Sequence, residues 1–166
     1  FLASAAFSPD GKELLVSCSD GTATLCDAER GRTLQTFAGH AGTVHTAVFD
    51  STGERIVTGS KDRTARVWSR TGRDKPQVLR GHTDEVVGAV FNASGDRILT
   101  WSWDGTARLW DSSTGELLHT LTGHDPAGEI AGAFSPDGKR AITYSGDGTF
   151  RIWDARSGKP IAERKA

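Results

Sequence analysis

The chain has no methionine, only two cysteines and a single tyrosine among its 166 residues. Methionine is missing even at position 1, so the sequence is expected to be a cut, processed or incomplete piece of something longer. Cys18 and Cys26 cannot build a disulfide framework, and their spacing is not that of a CxxC metal or redox motif. There is no basic surplus either. Twenty Lys and Arg against 21 Asp and Glu leave a formal net charge of −1, which argues against a nucleic-acid footprint. Apolar runs reach only about five residues, far short of the roughly 20 that cross a membrane. No signal-peptide pattern opens the chain, and a cytoplasmic location is the matching expectation. No segment longer than about ten residues keeps a 3.6-residue apolar period, so essentially no helix is expected. Neither GxxxxGK[ST] nor a helix-opening GxGxxG occurs, which leaves nucleotide binding without support. No cofactor is expected.

What the sequence does have is glycine, 20 residues of it, placed at regular intervals. Gly-His recurs at 39–40, 81–82 and 123–124, a step of 42 residues. A tryptophan recurs at Trp68, Trp110 and Trp153, steps of 42 and 43, the extra residue falling in Asp125-Pro126-Ala127-Gly128. Each unit divides by alternation and turn chemistry into four strand-sized pieces. The turns Ser8-Pro9-Asp10-Gly11 and Ser135-Pro136-Asp137-Gly138 supply Pro for a fixed φ and Gly for the reversal. A period near 42 built from short strands predicts four-stranded propeller blades, approximately residues 1–37, 38–80, 81–121 and 122–166. The fold class expected is all-β, an open arc of four blades.

In the last three units a Gly-His is followed by a Ser, an Asp two residues on, and a Trp. On these residues the chain resembles the WD40 repeat family over all its positions. The resemblance implies a buried hydrogen-bonded tetrad in each blade: His40, Ser60, Asp62 and Trp68; His82, Ser102, Asp104 and Trp110; His124, Ser145, Asp147 and Trp153. An indole N–H would donate to the hydroxyl, the hydroxyl to imidazole, and imidazole to the carboxylate. Strand parity sharpens this. Ser102 and Trp110 share a face only if the turn between their strands has an odd number of residues. The tetrad therefore predicts the three-residue loop Trp103-Asp104-Gly105, with Gly105 left-handed. Arg63 holds that glycine slot in blade 2 and should be strained. Blade 1 departs from the pattern, with Cys18 in the Ser slot and Cys26 in the Trp slot. It should be the loosest blade. A disulfide between the two thiols is disfavoured by their staggered levels.

Ser, His and Asp together invite a hydrolase reading, but catalysis needs one distinctive site and here the trio occurs three times, each with a Trp attached. The chain is expected not to be an enzyme. The Gly-His histidines lie a full blade apart, so no metal site is expected, and His45 and His119 read as ordinary strand residues. Arg66, Arg108 and Arg151, two residues before each Trp, read as side chains whose stems cover apolar surface rather than as a phosphate ring.

The residue before each turn Asp (Ser19, Lys61, Trp103, Gly146) lies, by the resemblance, at the rim of the face this family uses for partners. An exposed Trp is enriched in binding hot spots, which makes Trp103 the leading partner contact. Lys61, Trp101, Tyr144 and Glu85 are the further candidates, Trp101 and Tyr144 standing where other blades have Ser17 and Gly59. Both tryptophans could instead cover an inter-blade seam. Loops Ala38–Thr43, Arg80–Glu85 and Thr122–Glu129 would complete the face. The function expected is a non-catalytic protein-interaction scaffold, or a regulatory or substrate-docking segment of a larger kinase or signalling ATPase. No nucleic acid or membrane partner is expected. The family's rings usually hold about six to eight blades, so four would leave two faces open. Those faces would be closed by the remaining blades of a parent chain or by a homodimer forming an eight-bladed ring.

Overall fold

The computed structural model describes residues 2–125 and 129–165. The insertion assigned to Asp125–Gly128, and the middle of the loop Thr122–Glu129, therefore lie largely outside the described residues.

Sixteen strands and no helix are found among the described residues. Blade 1 is β1 (Leu2–Phe7), β2 (Glu13–Cys18), β3 (Thr22–Asp27) and β4 (Thr33–Ala38). Blade 2 is β5 (Val44–Phe49), β6 (Arg55–Ser60), β7 (Ala65–Ser69) and β8 (Gln77–Leu79). Blade 3 is β9 (Val86–Phe91), β10 (Arg97–Ser102), β11 (Ala107–Asp111) and β12 (Leu117–Leu121). Blade 4 is β13 (Ile130–Phe134), β14 (Arg140–Ser145), β15 (Thr149–Asp154) and β16 (Pro160–Lys165). Each blade is one antiparallel sheet with its strands in chain order, because short turns can join only neighbouring strands. The four sheets form an open arc.

The blades pack face to face through one repeated seam. Ile56 and Trp68 of blade 2 lie on Leu15, Ala23, Leu25 and Phe37 of blade 1. Ile98 and Trp110 of blade 3 lie likewise on Val57, Ala65, Val67 and Leu79, and Ala141 and Trp153 of blade 4 on Leu99, Ala107, Leu109 and Leu121. Trp68, Trp110 and Trp153 therefore face the preceding blade. The second strand of each sheet records how many of its faces are covered. β6 is buried at every residue from Ile56 to Ser60, as befits a strand with a blade on either side. In β14 burial alternates strictly, because only the face toward blade 3 is covered. Ile142, on the other face, is 36% exposed, whereas its counterparts Leu15, Val57 and Leu99 are all at 0%. At the opposite end of the arc Phe7 is 66% exposed, while its counterparts Phe49, Phe91 and Phe134 pack against the preceding blade.

The turn between the second and third strands has the expected odd length. Trp101 pairs with Ala107, Ser102 N–H donates to Thr106 O at 3.2 Å, and Gly105 N–H to Ser102 O at 3.1 Å. This leaves Trp103-Asp104-Gly105 as the loop, with Gly105 at φ 78°. Arg63 takes the same left-handed position at φ 69° and is the only non-glycine with positive φ among the described residues, at a cost of about 1–2 kcal/mol. The cysteines are free. Cys26 pairs with Leu14, four residues from Cys18 on the same strand and so roughly 13 Å away along it, beyond disulfide reach.

Trp101 does not reach for solvent first; it fills the seam between blades 3 and 4. A Cβ on Gly88, its cross-strand partner, would lie 1.9 Å from Trp101 Cε2, and one on Gly132 of blade 4 would lie 3.2 Å from Trp101 Cε3. The indole is thus clasped between two glycines and cannot step aside. Gly88→Ala is expected to destabilise the protein by about 1–3 kcal/mol in denaturant titration, as overpacking does. The loss should shrink when Trp101 is replaced by Ala in the same chain, the signature of a coupled pair.

Candidate functional site

The polar network of blades 2, 3 and 4 begins from the tryptophan. In blade 3 Trp110 Nε1–H donates to Thr100 Oγ1 at 2.9 Å, and Thr100 Oγ1 lies 2.8 Å from His82 Nε2. His82 Nδ1 is 2.8 Å from Asp104 Oδ2. With the indole as donor, the hydroxyl proton goes to Nε2, and Nδ1–H donates to the carboxylate. Blade 2 repeats this with Trp68 to Thr58 at 2.9 Å, Thr58 to His40 at 2.7 Å and His40 to Asp62 at 2.8 Å. In blade 4 Trp153 donates to Thr143 at 2.9 Å and Thr143 lies 2.8 Å from His124, while the contact from His124 to Asp147 lengthens to 3.4 Å. His124 Nδ1 is nearer there to Thr149 Oγ1, at 3.1 Å.

The hydroxyl in the network is thus threonine, which corrects the assignment of Ser60, Ser102 and Ser145. The parity expected from sequence holds, since Ser102 and Thr100 share the face of Trp110, but the level differs. Trp110 pairs with Ile98, two residues from Thr100 and four from Ser102, so the serine lies roughly 13 Å along the strand and the threonine about half that. The serines do other work at the mouth of the turn. Ser102 Oγ donates to Asp84 O at 3.0 Å and accepts from Asp104 N–H at 3.1 Å. Ser60 does the same with Gly42 O at 3.0 Å and Asp62 N–H at 3.1 Å. Ser145 accepts from Asp147 N–H at 3.3 Å. A sequence signal for the threonines existed, since Thr58, Thr100 and Thr143 recur two residues before each serine. Blade 1 has Val16 there and Cys26 for the tryptophan. Asp20 turns instead to Thr22, accepting from its hydroxyl at 2.7 Å and its amide at 3.0 Å.

Each aspartate is a junction between the Gly-His loop and the turn. Asp104 accepts from the Thr83 amide at 3.0 Å, the Thr106 amide at 2.9 Å and the Thr106 hydroxyl at 2.7 Å, as well as from His82. Burial opposes ionisation of Asp62, but hydrogen bonds from Thr64, His40 and the Ala41 amide outweigh it and bring its pKa down to about 2. Asp104 is likewise held well below the ordinary carboxylate range, burial again being overcome by His82, Thr106 and the Thr83 amide. Burial pushes the His40 imidazole below its usual value, against the pull of Asp62. The histidine side chains are 1% exposed, and each threonine hydroxyl already serves two partners, so these groups tie loops together and do not present a nucleophile.

The glycine of each Gly-His faces an arginine. A Cβ on Gly39, Gly81 or Gly123 would lie 2.7, 2.5 or 2.6 Å from the Nη1 of Arg66, Arg108 or Arg151. The guanidinium of Arg66 also lies 5.9 Å from the Trp68 ring centre. These arginines cover the loop and the indole, in keeping with a packing role.

Four of the five candidate partner contacts gather at one rim. Glu85 Oε1 is 3.1 Å from Lys61 Nζ, and Glu85 Oε2 is 2.8 Å from His45 Nε2. Trp103 N–H donates to Glu85 O at 3.1 Å, and its ring stands 6.1 Å from that of His45. Trp101, Trp103 and His45 line a common groove. Trp103 remains 45% exposed. Glu85 is mostly used within the protein, clamping blade 2 to blade 3. Tyr144 is exposed but does not join them, lying with Ile142 on the uncovered far face of blade 4. His45 is the residue missed from sequence: its partners Glu85 and Trp103 sit in another blade, and nothing in the repeat marks it.

Four like blades, three of them tied internally by a buried tetrad and all joined by one kind of seam, define a β-propeller arc. The family model for WD domain, G-beta repeat, matches residues 2–27, 31–69, 73–111 and 115–154. The chain belongs to the WD40 repeat family. A search of curated proteins found no match. Domains of this family are generally protein-interaction scaffolds and typically non-catalytic.

Two outcomes test the network. Thr100→Val keeps shape but orphans the Trp110 N–H and His82 Nε2, and should cost about 2–4 kcal/mol in chemical denaturation, against about 1 kcal/mol for Ser102→Ala. The second concerns pH. His40 and Asp62 both have folded pKa values below their unfolded ones, so the folded state binds fewer protons. Their stabilisation is present at neutral pH and is lost in two steps, below about 6.5 for the imidazole and between about 4 and 2 for the carboxylate. Urea midpoints should fall across both windows, and Asp62→Asn should flatten the lower one.

Proposed function

We propose that this chain is a non-catalytic scaffold that binds a protein partner across the rim formed by its Gly-His loops and Asp turns, working in the cytoplasm. The observation that carries the reading is Trp103. Its tetrad neighbours are consumed by internal hydrogen bonds, yet its own indole is 45% exposed beside a groove that crosses from blade 2 to blade 4. Nearly half of this large side chain is left to solvent, and large rigid aromatics dominate binding hot spots. The two free thiols suit a reducing compartment. The end faces carrying Phe7 and Ile142 are seams in want of further blades, supplied by the rest of a longer chain or by a second copy. Within a longer chain the same rim would serve a kinase or signalling ATPase as its regulatory or substrate-docking segment.

Affinity capture with the complete protein, run in parallel with Trp103→Ala, tests the site. The partner should be lost or reduced at least about 10-fold, the size of a typical hot-spot truncation. Unchanged capture removes Trp103 from the interface.

A further inference from the structure

Resting on that reading of the rim, the chemistry of its groove narrows what the partner must offer. The groove has a volume of about 370 Å³ and is lined by His45, Val87, Trp101, Trp103, Glu129 and Ile130. Two indoles form its aromatic wall, two aliphatic side chains complete its apolar lining, and the one carboxylate lining it is Glu129, which is exposed. A second carboxylate, Glu85, stands behind His45. Among the described residues no lysine or arginine lines the groove. Lys61, the cation at this rim, has its ammonium held against Glu85 at 3.1 Å.

Three classes of guest side chain can be compared. An acidic one would meet Glu129 with no lysine or arginine lining the groove to balance the pair. An apolar one would cover the indoles but take water from the Glu129 carboxylate without replacing it, which is costly. A cationic one satisfies both features, because an indole face attracts positive charge and a carboxylate completes the pair. Among cations the guanidinium is favoured, since it is planar, weakly hydrated and stacks on aromatic rings while presenting N–H groups to a carboxylate. We propose that the Trp101–Trp103–Glu129 groove binds an arginine side chain of the partner protein, stacked on Trp103 and paired with Glu129.

The test uses the complete protein and short blocked peptides of the form Gly-X-Gly, with X as Arg, Lys, Gln, Leu or Glu. The readout is the indole N–H resonance of Trp103, assigned by its loss in Trp103→Ala. The arginine peptide should shift it saturably, lysine more weakly, and glutamine, leucine and glutamate not at all. Glu129→Gln should weaken the arginine peptide by about 2- to 5-fold and reduce its salt dependence. Trp103→Ala, followed through a neighbouring indole resonance, should weaken it by about 3- to 30-fold, with Trp103→Phe in between. Equal or tighter binding of the leucine or glutamate peptide overturns the proposal, as does an absence of any saturable shift with arginine. The two readings fail separately. If partner capture depends on Trp103 but is indifferent to Glu129→Gln and to competing arginine peptide, the cation falls and the scaffold stands. If capture is indifferent to Trp103, the site itself falls.

Discussion

A single buried threonine hydroxyl holds each complete blade to the loop that precedes it. Thr100 receives a proton from the tryptophan of the third strand and gives one to the histidine of the incoming loop, so both lone-pair and proton capacity are engaged within one atom. The histidine is then buried and oriented, and its other nitrogen fixes the aspartate that caps the turn. Remove the hydroxyl and two buried polar groups lose their partner at once; leave it, and the loop, both central strands and the turn become one unit. That dependence explains why the serine two residues on is no substitute. It faces the same way but at a level where neither ring can reach.

The seam depends on the same arrangement from its other side. The tryptophan anchored by its N–H turns its ring toward the blade before it, where small and branched residues such as Ala65, Val67 and Leu79 receive it. Blade 1 lacks the anchor because Val16 and Cys26 replace the hydroxyl and the indole, and it also has no polar atom there that would need a histidine. Its interior is consistent, only simpler. Asp20 shows the turn chemistry surviving on its own, satisfied by the hydroxyl and amide two residues on.

Much of this was legible in the sequence because it is local or periodic. Gly-His, the turn glycines and the tryptophans recur at a fixed step, and that step together with strand alternation leads to four sheets. Even the length of the Trp103-Asp104-Gly105 loop follows from strand parity, since side-chain direction along a strand is strictly alternating. Level along the strand is a different matter: parity cannot separate Thr100 from Ser102, and the family pattern drew the reading to the wrong hydroxyl. The rim was less legible still. His45, Glu85, Lys61 and Trp103 come from two blades and meet only because the arc curves, so no spacing within a repeat announces them. Tyr144 shows the converse, a residue in the same slot as Trp101 that ends on an open face because its blade has no neighbour beyond it.

Repeated seams carry a hazard that the clasp around Trp101 answers. When blades are built alike, any one can in principle settle against any other, and a chain folding from the ribosome could join them out of order. The Trp101 ring occupies the space a Cβ at Gly88 would fill and lies close to Gly132 across from it; in blades 2 and 3 the slot of Gly132 holds Ala47 and Ala89. Conversely, Gly59 in the slot of Trp101 is already closed in by Val86 and Thr46, leaving no space for an indole. The seam between blades 3 and 4 is therefore shaped unlike those between the other blades. In an array whose members are otherwise near copies, one oversized side chain gives the sequence of blades a reading direction.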